Sequence, residues 1–292
     1  MPSCSIISPA YPCTKEQSKE IENNIKKIGF EKVKFFTSNK KLFNKWAGEP
    51  YERLELFYNA WNSSDDCIIC SKGGSGVSHI LPKINVNKLK KKKLIVGYSD
   101  ITLLLNFIHQ KLNLITLHGP MGLKKLDKKS ISALKDALSM KDYGINFSKK
   151  NILNNSNERI VSAEIIGGNL TRFVEFLMHH KINFINKIIF FEETNFTEYK
   201  MFNLLMSLKS YKYFKPKAIL FGGLGIKNKK LMIKMIKYLF PNIPIIINLP
   251  FGHTLPNITI PIGAKCEINF KENKIKFIFP KKAKKYSINL KP

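Results

Sequence analysis

The sequence predicts an α/β fold, in which an N-terminal three-layer domain with a parallel sheet precedes a smaller C-terminal α/β domain closed by a β-hairpin. Short apolar runs alternate with helical stretches through the first half, the pattern of a parallel sheet flanked by helices. A polar, asparagine-rich stretch then interrupts the alternation. With 292 residues, 44% of them hydrophobic, the chain is long and apolar enough for two domains with sizeable cores.

The expected strands of the first half lie near residues 4–8, 33–36, 66–70, 94–97 and 115–118. Helical stretches separate them, for example residues 15–28 and 53–61. The second half adds strands near 161–166, 187–191, 217–221 and 244–248. A closing pair near 266–270 and 274–279 flanks Asn273, a residue type that favours tight turns, and this predicts a hairpin.

Residues 141–158 are rich in Asp, Asn, Ser and Lys. Such clusters between periodic segments are typical of loops. We therefore predict an interdomain linker at 141–158, with an N-terminal domain at 1–140 and a C-terminal domain at 159–292.

Ser99 ends an apolar strand in the run LIVGYSDIT (residues 94–102), and a helix-like segment follows at once. A serine at such a corner is exposed, and the free amides at the start of the helix point toward its surroundings. This geometry suits a nucleophile. The Gly-x-Ser-x-Gly elbow is incomplete, because Asp100 follows the serine and no second glycine comes after it. The alternative is a serine that caps the helix, with Asp100 in its first turn.

A second apolar strand runs into a flexible corner in CIICSKGGSGV (residues 67–77). Glycines at 73, 74 and 76 allow positive φ and bring bare N–H groups close to a ligand, as an oxyanion hole or an anion-binding nest requires. The Gly-Lys-Ser/Thr of a phosphate loop is absent. An ordinary strand-to-helix turn is the alternative interpretation.

Two further strands end in groups that complement a serine. Residues 187–194, KIIFFEET, end in Glu192 and Glu193, and residues 245–254, IIINLPFGHT, bring His253 into a loop. A carboxylate at the end of a buried strand needs a partner such as an imidazole N–H. Serine, glutamate and histidine therefore form a candidate triad. Strand side chains alternate, so only one of the two glutamates can face His253.

These segments resemble the LD-carboxypeptidase family, also called muramoyl-tetrapeptide carboxypeptidases, which includes the microcin-immunity serine peptidases. The resemblance covers nearly the whole chain and rests on blocks that occur in the family's order: SIISPA (5–10), Gly48-Glu49, the 73–76 glycines, GYSD (97–100), HGP (118–120), GGNL (167–170), FEE (191–193) and Gly252-His253. Lys72 departs from the pattern, since the family usually has arginine there. Lysine lacks arginine's bidentate geometry.

The resemblance implies that Ser99 is the nucleophile, His253 the general base and Glu192 the residue that orients it. The amides of Gly74 and Asp100 are expected to form the oxyanion hole, and neither a metal nor an organic cofactor is needed. The implied reaction hydrolyses the L,D-bond to the terminal D-alanine of murein tetrapeptides in cell-wall recycling. Cleavage of a peptidyl-nucleotide antibiotic, a self-immunity function, is the alternative. A homodimer with its site at the domain junction is also implied.

The net charge of +28 raises a third possibility outside enzymes, a basic nucleic-acid-binding protein. Of 49 basic residues, however, only Arg53, Arg159 and Arg172 are arginine, the residue on which nucleic-acid readers depend. Abundant Lys, Asn and Ile, all with AT-rich codons, explain the charge more simply. We expect no specific nucleic-acid partner.

Composition also bears on compartment and metals. No apolar run approaches the roughly 20 residues of a membrane span, and the N-terminal residues do not read as a secretory signal, so we expect a cytoplasmic protein without a membrane partner. Five cysteines are then expected as reduced thiols. Cys67 and Cys70 would face opposite sides of a strand, which favours burial over metal binding. His118, in a turn before Gly-Pro, is expected to make a structural hydrogen bond; the alternative is that it lines the site.

Overall fold

The computed structural model of the chain describes residues 1–123, 126–194 and 196–290. Its helices are α1 (Lys15–Ile28), α2 (Pro50–Asn62), α3 (Val77–Ile80), α4 (Thr102–Leu112), α5 (Lys128–Leu138), α6 (Leu170–His179), α7 (Glu198–Lys209) and α8 (Lys229–Leu239). Its strands are β1 (Ser3–Ile7), β2 (Lys32–Phe36), β3 (Cys67–Cys70), β4 (Leu94–Gly97), β5 (Thr116–His118), β6 (Tyr143–Asn146), β7 (Ile152–Asn154), β8 (Ile160–Asn169), β9 (Lys187–Glu192), β10 (Ala218–Phe221), β11 (Ile245–Ile246), β12 (Ile260–Ile262), β13 (Lys265–Asn269) and β14 (Lys274–Ile278).

The first sheet has six strands in the order β12-β5-β4-β3-β1-β2. Strands β1 to β5 run parallel, and β12 pairs with β5 in the antiparallel sense. β3 and β4 are buried at every position, as expected where both faces of a parallel sheet are covered. Helices α1 and α5 cover one face, and α2 and α4 cover the other. The predicted three-layer α/β arrangement is confirmed.

Helix α1 illustrates how the local sequence determines where a helix begins and ends. Thr14 and Gln17 form a capping box, in which each side chain accepts a hydrogen bond from the other residue's backbone N–H. Gly29, with φ of +105°, ends the helix in the left-handed conformation. Ile21 and Ile25, one turn apart, are fully buried against the sheet. The helix therefore has the bounds that the sequence predicts.

The second sheet has eight strands in the order β6-β14-β13-β8-β9-β10-β11-β7. Its centre, β8 to β11, is parallel, whereas the outer strands pair in the antiparallel sense. β13 and β14 form the predicted hairpin, and Asn273 in its turn has φ of +52°. Residues 265–278 thus extend the sheet on the side opposite to β10.

Residues 141–158, predicted as a linker, contain two strands. β6 pairs with β14 and β7 pairs with β11, so both edges of the second sheet come from this segment. Edge strands of three or four residues are too short for a periodic hydrophobic signal, and the asparagine-rich composition concealed them. The segment is therefore part of the sheet, while the boundaries of the two domains stay a prediction.

Helix α4 joins the two halves of the chain. It begins directly after the Ser99 corner and packs against β5 of the first sheet and against β8 and α6 of the second. One apolar cluster runs continuously from the inner face of the first sheet into the second half. Strand β12, from the second half, also pairs within the first sheet. The carboxyl ends of β3, β4, β5 and β9 consequently lie close to this junction.

All five cysteines are buried free thiols. Cys67 packs in the core on the α1 side of the sheet and Cys70 in the core on the α2 side, as strand alternation predicts. In the described ranges, no group of three or more His, Cys, Asp or Glu side chains has an arrangement that could hold a metal ion. Among the described residues, no helix combines the length and apolar character needed to cross a bilayer.

Candidate active site

Ser99 lies at a tight strand-to-helix corner. It follows β4 by two residues, starts a short 3-10 turn over Ser99–Ile101, and leads directly into α4. Its φ of +61° is unusual for a residue other than glycine and indicates local backbone strain. Gly97 permits the sharp exit, since a Cβ there would lie 2.6 Å from Ile101 Cγ2. The hydroxyl is therefore presented at the end of the sheet.

Residues 73–76, the glycine corner, lie directly beside Ser99. A Cβ built on Gly73 would lie 3.1 Å from both Cβ and Oγ of Ser99. Gly74 has φ of +134°, and a Cβ there would lie 2.6 Å from the Tyr11 ring, so any side chain would collide with Tyr11. Backbone amides can thus approach the serine hydroxyl closely, which an oxyanion hole requires.

Glu192 and His253 are joined by a hydrogen bond of 2.6 Å between Nδ1 of the imidazole and Oε2 of the carboxylate. Glu192, the last residue of β9, is completely buried, whereas the side chain of His253 is 20% exposed. When Nδ1–H donates to a carboxylate, the other ring nitrogen, Nε2, is left as a free base. The pair therefore has the arrangement of a general base and its orienting acid.

The electrostatics of Glu192 favour the charged form. Burial by itself would raise the pKa of this carboxyl, but the contacts with His118 and His253 outweigh it and hold the pKa at about 2. Glu192 is consequently anionic at neutral pH. An anion in this position stabilises the imidazolium that forms when His253 accepts a proton.

Glu193 has different partners. Its carboxylate accepts hydrogen bonds from Nδ2 of Asn169 at 2.8 Å and from the backbone and hydroxyl of Thr171 at 3.2 and 2.6 Å. Asn169 and Thr171 lie at the start of α6, so Glu193 stabilises the positive end of that helix. The two adjacent carboxylates point to different groups, and the one that contacts His253 belongs to Glu192.

The structure does not bring all three candidate residues into direct contact. The Tyr98 ring, adjacent to Ser99, lies 4.9 Å from the His253 ring. Among hydrogen bonds between described residues, none joins Ser99 to His253. A cavity of about 460 Å³, lined by Tyr98, His253 and Thr254 among others, opens beside the imidazole. Catalytic hydrogen bonds are often longer without substrate, so the Ser99–His253 contact stays a prediction.

His118 lies at the site, which the sequence analysis named only as the alternative to a structural hydrogen bond. It ends β5, is completely buried, and its Nε2 lies 3.6 Å from Oε1 of Glu192. Its ring packs edge-on against Phe190 at 5.1 Å. No hydrogen bond of the predicted structural kind reaches either ring nitrogen within the described part of the chain. The position of His118 in the sequence could have indicated its place at the site, because His118 ends β5, the strand next to β4.

Comparison with known proteins identifies the family. The model for the LD-carboxypeptidase N-terminal domain matches residues 4–119, and the model for the LD-carboxypeptidase C-terminal domain matches residues 162–268. Together they cover more than half of the chain. The chain belongs to the LD-carboxypeptidase family. This is a peptidase family, and the resemblance predicted from the sequence blocks is confirmed.

Two relatives of this chain carry names that point to different substrates. A probable murein peptide carboxypeptidase of Bacillus subtilis is 26% identical and covers 91% of this chain and 88% of its own. The microcin C7 self-immunity protein MccF of Escherichia coli is also 26% identical, over 86% and 85% of the two chains. The solved muramoyltetrapeptide carboxypeptidase of Oxalobacter formigenes, 23% identical, superposes with a TM-score of 0.83 over 95% of this chain and 99% of its own. That structural likeness supports the fold.

Replacing Gly252 with alanine is expected to lower turnover about 100-fold, because ~1 Å of misplacement is enough to cause such a loss. Gly252 has φ of +89°, and a Cβ there would lie 2.5 Å from Cβ of Glu192. The loop that carries His253 must then move. Steady-state kinetics measure the effect. Gly223→Ala is the matched control, since its new Cβ would lie 3.6 Å from Thr254 Cβ; equal losses in both variants would contradict the argument.

Replacing His118 with phenylalanine should raise the pKa of Glu192, because only His253 then offsets the effect of burial, which favours the neutral carboxyl. The lowered pKa of Glu192 stabilises the native protein fully above its ordinary value of 4.5, and this stabilisation is lost as pH falls toward 2. We expect His118→Phe to lose about 2 kcal/mol of unfolding free energy at pH 7 and clearly less at pH 3. Urea unfolding at the two pH values measures both.

His118→Gln retains a donor and should lose less than His118→Phe. Equal losses for the two variants, unchanged between pH 7 and pH 3, would mean that His118 acts by packing alone.

Proposed function

We propose that this LD-carboxypeptidase is a serine peptidase that releases the terminal D-alanine from murein tetrapeptides. The observation that carries the proposal is the 2.6 Å hydrogen bond from His253 to the buried Glu192, beside a strained serine at a strand-to-helix corner. A nucleophile, a base and an orienting acid are the groups that acyl transfer through a covalent intermediate requires. All three lie at the carboxyl ends of strands or in the loop after one.

In the proposed mechanism, Nε2 of His253 removes the Ser99 proton while Oγ attacks the scissile carbonyl carbon. Glu192 holds the imidazole in the required tautomer and stabilises the imidazolium. His253 then gives the proton to the leaving amine, and D-alanine departs. Water, deprotonated by the same imidazole, attacks the acyl-enzyme and regenerates Ser99 with release of the shortened peptide.

The developing oxyanion needs donors on the far side of the carbonyl. We assign this role to the amides of Gly74, in the glycine corner, and of Asp100, the residue after Ser99. Support comes from the space at Gly73, where an added Cβ would lie 3.1 Å from Ser99 Oγ, and from Gly74, whose φ of +134° favours glycine and whose amide has no side chain to obstruct it. Each such donor contributes on the order of 10²–10³ in turnover.

The choice of substrate rests on the relatives, one of which is named a probable murein peptide carboxypeptidase. The surplus of positive charge supports it, because a basic surface attracts acidic murein fragments. A second candidate, cleavage of an amide in a peptidyl-nucleotide antibiotic, is favoured by an equally similar relative named a microcin self-immunity protein. The same triad would serve either bond.

Purified protein incubated separately with a disaccharide tetrapeptide and with a peptidyl-nucleotide conjugate distinguishes the candidates. We expect D-alanine from the tetrapeptide, no cleavage of the conjugate, and no reaction of either with the Ser99→Ala variant. Cleavage of the conjugate alone would replace the first function with the second. If the native protein cleaves neither compound, both functions are wrong.

We further propose that the enzyme acts as a homodimer in the cytoplasm, as the family resemblance implies for its assembly and as recycling of murein fragments requires. Light scattering of the purified protein tests the dimer. A mass of 33.6 kDa, that of one chain, would contradict it.

A further inference from the structure

An ion pair between a partly exposed arginine and a buried carboxylate joins the two halves of the chain one residue away from Ser99. Nε of Arg172, on α6, lies 3.3 Å from Oδ1 of Asp100, and the Asp100 side chain has no exposed surface. The Arg172 side chain is 27% exposed and also pairs with Glu175 one turn later on α6. Removing one partner of a buried ion pair leaves a desolvated charge, which strongly disturbs its surroundings.

The second oxygen of Asp100 reaches the glycine corner. Oδ2 accepts a hydrogen bond from the backbone N–H of Val77 at 3.0 Å, and Val77 follows Gly76 directly. One carboxylate therefore connects α6, the corner that presents Ser99 and the end of the glycine corner. The backbone amide of Asp100 is the proposed oxyanion donor, whereas its carboxylate binds Val77 and Arg172.

Arg53 fixes the same corner from the opposite side. It is buried to 2% exposure, and its guanidinium donates to the carbonyls of Gly76 at 2.8 Å and Pro9 at 2.6 Å. Its other terminal nitrogen lies 3.3 Å from Nδ1 of His79 on α3. Arg53 thus holds the glycine corner at Gly76, and Asp100 holds the next residue, Val77.

We propose that Arg172 is a positioning residue, which holds the Asp100 carboxylate and, through the Val77 amide, keeps the glycine corner in the geometry that receives the oxyanion. The proposal deepens the function proposed above and rests on it for the oxyanion itself. Arg172, from the second half of the chain, would thus help to position the oxyanion hole, whose donors come from the first half.

The site has a defined dependence on pH. Burial raises the pKa of Asp100 to about 6, opposed by the Val77 N–H, Arg172 and Arg53 and reinforced by Glu175. Arg53 lies on α2, Val77 and His79 lie on α3, and Arg172 and Glu175 lie on α6. Below pH 6 the carboxyl becomes protonated and its attraction to Arg172 is lost. We therefore expect turnover to fall as the pH drops below about 6; this fall is the acid limb of the pH profile.

Charge changes at α6 should move that limb in opposite directions. Arg172→Gln removes a cation, so the pKa of Asp100 rises and the acid limb shifts to higher pH by roughly half a unit or more. Glu175→Gln removes a like charge, so the limb shifts to lower pH. Arg159→Gln, at an exposed arginine of the second half, has the same formal charge change as Arg172→Gln and should shift nothing.

The test combines the pH profile of kcat with hydrogen exchange of the peptide spanning residues 73–80. We expect Arg172→Gln to lower kcat about tenfold with little change in KM, as loss of transition-state positioning does, and to speed exchange at Val77. An unshifted acid limb and native exchange in Arg172→Gln would overturn the proposal. Hydrogen exchange needs no substrate, so faster exchange in a protein that releases no D-alanine would separate failure of the proposed function from failure of this inference.

Discussion

Replacing Ser99 with alanine should abolish turnover, with a loss on the order of 10⁵–10⁶ in kcat, because the covalent route has no other nucleophile. Folding should hardly change. Alanine at φ of +61° carries the same backbone strain as serine, so we expect the free energy of unfolding to stay within about 0.5 kcal/mol. D-alanine release measures the first quantity and urea unfolding the second.

The matched control is Ser132→Ala on the exposed side of α5. It removes the same hydroxyl from an exposed side chain that does not line the cavity beside His253, and it should leave kcat unchanged. If Ser99→Ala retains more than a few per cent of native turnover, the serine mechanism is wrong.

Glu192→Gln should lower kcat by about 10⁴, by analogy with the orienting aspartate of serine proteases. The amide keeps the volume of the side chain but carries no charge to stabilise the imidazolium, and it permits the wrong tautomer of His253. The structure places Glu192 against His253 at 2.6 Å. Steady-state kinetics of the purified variant measure the loss.

The neighbouring carboxylate provides the comparison. Glu193 bonds Asn169 and Thr171 at the start of α6, so Glu193→Gln should lose about 1 kcal/mol of stability and less than tenfold in kcat. Reversed losses in the two variants would mean that Glu193, not Glu192, orients the histidine.

Most of the central strands follow from the sequence. β3, β4 and β9 are short, apolar and bounded by glycine or charge, and the structure places them within one or two residues of the predicted positions. Alternation of side chains also separates Glu192, the last residue of β9, from Glu193 directly after it, since adjacent residues of an extended segment face opposite sides. Local rules were sufficient wherever burial on both faces enforced a continuous apolar run.

Features that depend on distant pairing did not follow from the sequence. β6 and β7, inside the predicted linker, are edge strands whose partners β14 and β11 lie more than 90 residues away along the chain. β12 crosses from the second half into the first sheet. No local pattern encodes such pairings.

Two ion-pair contacts at the site did not follow from the sequence for a related reason. His118 lies against Glu192 and Arg172 against Asp100, in each case 70 or more positions apart along the chain. The HGP block (118–120) does not show which carboxylate His118 contacts, and a single arginine on a helix does not show its partner. Their roles become visible only when the fold brings them to buried carboxylates.

The most direct test of the central claim, that Ser99 is a nucleophile activated by the Glu192–His253 pair, is labelling with a fluorophosphonate followed by peptide mapping. This reagent forms a covalent bond with activated serines and requires no knowledge of the substrate. We expect one adduct per chain, on Ser99, absent from Ser99→Ala and formed at least about 100-fold more slowly in His253→Gln. No adduct on the native protein, or an adduct on another serine, would contradict the account.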